Sequence, residues 1–203
     1  MKYQNGFSHI ELETILEPYN PWWKSAQFDT IPFKRPIFHK IYKDLFTLKQ
    51  IISITGPRRV GKTTLLKQII KELINVNQVE PIQIIYFSFD DPLMVETHIR
   101  ERFFDNLIRW ADTKLKDKTV YFFLDEIQRF EKWELYLKKY YDLGFSCRFI
   151  ISGSTGSTPK AKAGNPSVTR FTQRICIGSK GSGKPISEET NITSISPVLQ
   201  DRR

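Results

Sequence analysis

Ile51-Ile52-Ser53-Ile54-Thr55-Gly56-Pro57-Arg58-Arg59-Val60-Gly61-Lys62-Thr63-Thr64 decides the fold of this chain. Its first five residues form a short β-branched apolar run that reads as a buried strand. Beyond it, Leu65, Leu66, Ile69, Ile70 and Leu73 recur at helical spacing. Strand, glycine loop and helix in that order give the G-x-x-x-x-G-K-[ST] pattern a mechanism. Gly56 and Gly61 let the backbone bend so that its N–H groups converge on a phosphate. The helix opening near Gly61 adds the positive end of its dipole. Lys62 is placed to reach the β- and γ-phosphates, and the Thr63 hydroxyl to bind Mg²⁺. The expected nucleotide-contacting stretch is Gly56, Pro57, Arg58, Arg59, Val60, Gly61, Lys62, Thr63 and Thr64.

A second motif bears on hydrolysis. Thr119-Val120-Tyr121-Phe122-Phe123-Leu124 is an unbroken apolar run ending in Asp125-Glu126. Such a run fits a central parallel strand covered on both faces. Acids at its carboxyl end face the crevice where α/β folds bind ligands. Asp125 is the expected partner of Mg²⁺, direct or through water. Glu126 is expected to orient and deprotonate the attacking water, so that Glu126 and Lys62 form the catalytic pair. Read without the phosphate loop, Asp125-Glu126 would be a simple loop start or helix cap.

Outward from these motifs the pattern alternates. Pro81 to Ser88 reads as a strand, and Asp91-Pro92 as the cap and first turn of a helix. Ile99, Phe103, Leu107, Ile108, Ala111 and Leu115 line one face of that helix. Phe130, Trp133, Leu137 and Tyr141 mark another, and Cys147 to Ile151 a further strand running into Ser152-Gly153-Ser154. The expected fold is α/β, a parallel sheet with helices on both faces and right-handed crossovers. Upstream, Leu12, Ile15 and Leu16 suggest a short helix stopped by Glu17-Pro18, and Pro36 opens a helix to about Leu48. Trp22 and Trp23 suit core packing against the sheet, with adenine stacking as the alternative.

Residues 10–154 resemble the prokaryotic AAA-superfamily ATPases whose second half is a domain of unknown function. The likeness rests on Asn20-Pro21-Trp22-Trp23, Phe33-Lys34-Arg35-Pro36, Thr55 through Thr64, and Phe89-Asp90-Asp91-Pro92. It continues through Leu124-Asp125-Glu126-Ile127-Gln128, Trp133 and Ser152-Gly153-Ser154. The resemblance implies a P-loop NTPase core, ATP rather than GTP, and Mg²⁺. It also implies that the strand ending near Ser152 lies between the two other catalytic strands. A polar sensor is implied at that strand's end, Ser152 or Ser154, either of which capping alone would also explain.

The likeness degrades after Ser154, leaving Arg170 as a candidate for an arginine that meets the γ-phosphate. From residue 156 the composition shifts to Gly, Ser, Thr, Pro and charge, and Gly178 to Pro185 is linker-like. The expected organisation is an N-terminal extension over 1–48, an ATPase core over 49–155 and a flexible tail over 156–203. Truncation or a reading-frame slip is the expected origin of the tail. A short strand at Arg174–Ile177 is the alternative for part of it.

Composition bounds the rest. At 203 residues, 40% hydrophobic and 13% aromatic, the chain supports one domain with a sizeable core. No apolar run reaches membrane-spanning length and no secretory signal is read at the start, so no membrane association is expected. Cys147 and Cys176 form no metal or disulfide pattern, which suits a reducing cytoplasm, and His9, His39 and His98 are isolated. The net charge is +9, but residues 156–203 hold eight Lys/Arg against three Asp/Glu. The excess therefore sits largely outside the core and argues only for weak, unspecific nucleic-acid binding. A homo-oligomer or protein partner is also expected. Two function classes stand: a Mg²⁺-dependent ATPase, and an ATP-binding module that hydrolyses little.

Overall fold

Consecutive side chains of a strand leave the sheet on opposite faces, and here both faces are buried. Ile51 on β1 (Ile51–Gly56), Ile85 and Phe87 on β2 (Ile84–Ser88), Phe122 and Leu124 on β3 (Val120–Asp125), and Phe149 and Ile151 on β4 (Cys147–Ser154) enter one core. Their neighbours Ile52, Ile54, Ile84, Tyr86, Phe123 and Ile150 enter the other. That is why these strands read as unbroken apolar runs. The computed structural model describes residues 7–25, 28–154 and 172–177.

Helices cover both faces. The first core takes α1 (His9–Leu16), α4 (Thr97–Lys114) and α5 (Trp133–Asp142); the second takes α2 (Pro36–Thr47) and α3 (Lys62–Asn75). Ser8 starts α1 with a capping box: its hydroxyl accepts from the Glu11 amide at 3.3 Å, and the Glu11 carboxylate accepts from the Ser8 amide at 3.0 Å. The long helix starts later than expected. Asp91 caps a 3₁₀ turn over Pro92–Met94, and extended backbone at Glu96 separates this turn from α4. Pro81–Gln83 is likewise a 3₁₀ turn ahead of β2. Phe130 precedes α5, whose buried face carries Tyr140 in place of the expected Tyr141, which is 37% exposed.

The sheet is parallel throughout, in the order β2-β3-β4-β1-β5, so β4 lies between β1 and β3 as the resemblance implied. The edge strand β5 (Thr172–Cys176) comes from the segment whose composition suggested a tail. It pairs with β1 from Ile51↔Thr172 to Thr55↔Cys176, and Ile175 and Ile177 are buried. Local composition discounted this strand because its stabilising partner, β1, lies over a hundred residues away in sequence. The candidate Arg170 and the rest of the expected tail lie outside the described residues.

At the opposite edge, β2 has no strand neighbour among the described residues, and side chains of the N-terminal segment take that place. The Trp22 and Trp23 indoles both donate to the Ile84 carbonyl at 3.0 Å. The Asn20 carboxamide donates to the Tyr86 carbonyl and accepts from its amide. An exposed row of strand N–H and C=O groups invites pairing with other chains, and this cover removes it. The two tryptophans therefore serve the core and the sheet edge.

Candidate active site at the strand ends

Parallel register brings the carboxyl ends of β1, β3 and β4 to one rim. Ile54 pairs with Ser152 across β1 and β4, and Leu124 with Ile151 across β3 and β4. From that rim the loop after β1 turns into α3 through Gly61, whose φ of 86° is the left-handed conformation that favours glycine. The first turn of α3 carries no acidic side chain, leaving its amides without a competing carboxylate. Lys62 is buried against the loop, its Nζ donating to the carbonyls of Gly56 at 3.1 Å and Pro57 at 2.9 Å.

Asp125, 2% exposed, gathers four donors. Its Oδ2 accepts from the Thr63 hydroxyl at 2.5 Å and the Tyr86 hydroxyl at 3.0 Å. Its Oδ1 accepts from the Glu126 amide at 3.0 Å and from the Ser152 hydroxyl. Burial, and then the charge of Asp125, push the Tyr86 phenol upward from its ordinary value, keeping it a donor. Glu126 takes a left-handed conformation, φ 51°, and its carboxylate accepts from the Gln128 amide, which also reaches Ser154 Oγ at 3.3 Å.

Above these residues lies an open cleft of about 530 Å³. Arg58, Arg59, Gly61, Lys62, Thr63 and Thr64 form one wall; Asp90, Glu126 and Arg129 form the other. Arg129 pairs with Asp90 at 3.0 Å, both about half exposed, so the pair is held weakly. Arg35 reaches over from the start of α2 and donates to the Val60 carbonyl at 2.8 Å. The structure thus gathers Lys62, Thr63, Asp125, Glu126, Ser152 and Ser154 at one rim. The expected sensor pair divides: Ser152 faces Asp125, and Ser154 faces Gln128.

Sequence reading assigned no role to Tyr86, Gln128, Arg129, Asp90 or Arg35. Arg35, Asp90 and Gln128 lie within the strings that carry the resemblance. Tyr86 carried no signal, because on an apolar strand it is indistinguishable from a core aromatic.

The profile of the AAA domain family matches residues 48–176, from just before β1 through the last residue of β5. The chain belongs to this family. The match to the AAA domain extends past Ser154, where the motif-level likeness thinned. The chain is 31% identical over 159 residues to the uncharacterized protein MJ1637 of Methanocaldococcus jannaschii, covering 77% of this chain. It spans only 30% of that relative's length. Among solved structures it is similar to C. elegans PCH-2, with 11% identity and a TM-score of 0.46 over 77% of this chain and 46% of that one.

The AAA domain's donor set fits Mg²⁺. Thr63 and Asp125 offer hard oxygens side by side, and Mg²⁺ is commonly held by one or two such groups together with phosphate oxygens. Among the described residues no group of three His, Cys, Asp or Glu is placed to hold a metal ion. Among the described residues no helix is long and apolar enough to cross a membrane.

Proposed function

We propose that the chain binds Mg·ATP in the cleft and hydrolyses it to ADP and phosphate. The observation that carries this reading is the 2.5 Å hydrogen bond from Thr63 to Asp125, with Glu126 next in sequence at the cleft wall. Thr63 opens α3 and Asp125 ends β3, and together these two oxygens would hold a Mg²⁺ ion accompanying the nucleotide. The bound Mg²⁺ would supply neutralisation of the developing phosphate charge. Lys62 would exchange the Gly56 and Pro57 carbonyls for phosphate oxygens, moving only its terminal ammonium. The loop amides and the α3 N-terminus would hold the phosphates in place. Glu126 would orient the attacking water in line with the γ-phosphate and take its proton.

Net cleft charge supports a polyanion: Arg58, Arg59, Lys62 and Arg129 outnumber Asp90 and Glu126. Asp90 neutralises Arg129 only weakly, and the arginine would be free to turn toward phosphate. A reducing cytoplasm and assembly with further copies or a protein partner are parts of the same proposal.

Glu126→Gln is the test. The amide keeps the shape of the side chain and loses the base, so Mg·ATP binding should persist while turnover falls by roughly 10²-fold or more. Binding with no turnover in the parent chain would leave a nucleotide-binding module. Parent-like turnover in Glu126→Gln would move the base elsewhere.

A further inference from the structure

We infer that Gln128 is the positioning residue for Glu126, fastening its carboxylate to the end of β4. The inference rests on the hydrolytic reading above and names what holds that reading's base in place.

Glu126 alone is poorly constrained. It lies just past the end of β3 in a left-handed conformation, outside the hydrogen-bond ladder that fixes Asp125. A side chain free to rotate over an open cleft would hold water in many orientations. Gln128 removes that freedom. The 3₁₀ turn Ile127–Arg129 brings its carboxamide back over the strand ends, where Nε2 donates to Glu126 Oε2 and to Ser154 Oγ. Only the amide nitrogen can face a carboxylate, which accepts and does not donate, so chemistry sets the orientation of the carboxamide. One Glu126 oxygen is held, and the other remains for water.

The other end of the carboxamide is confined by Gly153. A Cβ built on Gly153 would lie 2.5 Å from Gln128 Oε1, closer than such contacts occur, and 3.8 Å from the nearest Ile127 side-chain carbon. Glycine at this position is therefore the clearance in which the carboxamide sits. Gln128 Oε1 is buried there without a hydrogen-bond partner among the described residues. A buried amide oxygen left unpaired is costly, and the position is explained by what its nitrogen holds. Asp125 is fixed by four donors of its own, none of them Gln128, so the clamp acts on the base and not on the metal-side carboxylate.

Two substitutions reach the clamp from opposite sides. Gln128→Ala removes it. Gly153→Ala leaves Gln128 intact but pushes the carboxamide out of its slot, and the φ of Gly153 is one that alanine adopts without strain. Each should lower kcat by roughly 10- to 100-fold while KM and the affinity for Mg·ATP stay within about twofold, as expected for a misplaced reacting group. The double variant should be no slower than Gln128→Ala alone, because the added methyl of Gly153→Ala acts through Gln128. Parent-like kcat in Gln128→Ala overturns the inference, as does an undiminished cost of Gly153→Ala in the Gln128→Ala background.

A readout independent of turnover separates this from failure of the hydrolytic reading. The side-chain NH₂ resonances of Gln128 should shift in Glu126→Ala relative to the parent. If the parent chain proves not to hydrolyse ATP, that shift still upholds the clamp, and unmoved resonances overturn it.

Discussion

The carboxamide of Asn20 closes on the backbone of Tyr86, its Nδ2 donating to the carbonyl at 2.9 Å and its Oδ1 accepting from the amide at 2.7 Å. The same Nδ2 donates to the Leu16 carbonyl at 2.7 Å, tying the end of α1 to the sheet. Asn20 thus acts as a one-residue substitute for a neighbouring strand. The phenol of the same Tyr86 meets Asp125, so the edge cover and the candidate site share a residue.

Asn20→Ala should therefore cost more than an ordinary polar deletion. It leaves the buried amide and carbonyl of Tyr86 unpaired, each at about 1–3 kcal/mol. We expect a loss of roughly 2–4 kcal/mol in urea unfolding, and a loss below about 0.5 kcal/mol would mean that water replaces the side chain.

Lys62→Ala should weaken ATP binding by about 10- to 100-fold, the worth of a charged hydrogen bond to phosphate. Calorimetry reads this directly. The folded state should survive, since the amine bonds only to loop carbonyls that water can reach once the side chain is gone. Affinity equal to the parent's would remove the loop from the nucleotide site.

Alkaline pH should destabilise the fold through Tyr86. Its folded pKa is raised above the ordinary 10.0 by burial and by Asp125. The sign follows: the contribution is complete below the unfolded value and is lost as pH rises from there toward the folded value. Stability measured in urea should fall from about pH 10 upward. The slope should be shallower in Tyr86→Phe, which has no phenol to ionise, and an unchanged slope would assign the loss to other tyrosines.

Ending the chain after residue 171 should destabilise the core. It removes β5, exposes the outer edge of β1 and loses the buried Ile175 and Ile177. Burial of an isoleucine side chain is worth about 1.5–3 kcal/mol, so a loss of about 3–6 kcal/mol for the two is expected relative to a chain ended after residue 178. Equal unfolding midpoints would make β5 dispensable.

The strand–loop–helix order around Gly56–Thr63, the placing of Asp125-Glu126 at a strand end, the α/β class and the central strands were legible in the sequence because each is a local pattern. A glycine loop between a β-branched run and a helical periodicity is fully specified within about twenty-five residues. So is an apolar run ending in two acids. Tertiary structure alone decided the rest. β5 belongs to the sheet because β1 supplies its hydrogen bonds, although the surrounding composition reads as a tail. Tyr86 meets Asp125, and Ser154 meets Gln128, because parallel register brings separate strand ends to one rim, and a register is a relation between strands. Trp22 and Trp23 cover an edge that exists only once the strand order is set. Local chemistry marks the candidate phosphate loop and places Gln128 beside Glu126; the Tyr86 phenol meets Asp125 only because folding sets their strands side by side.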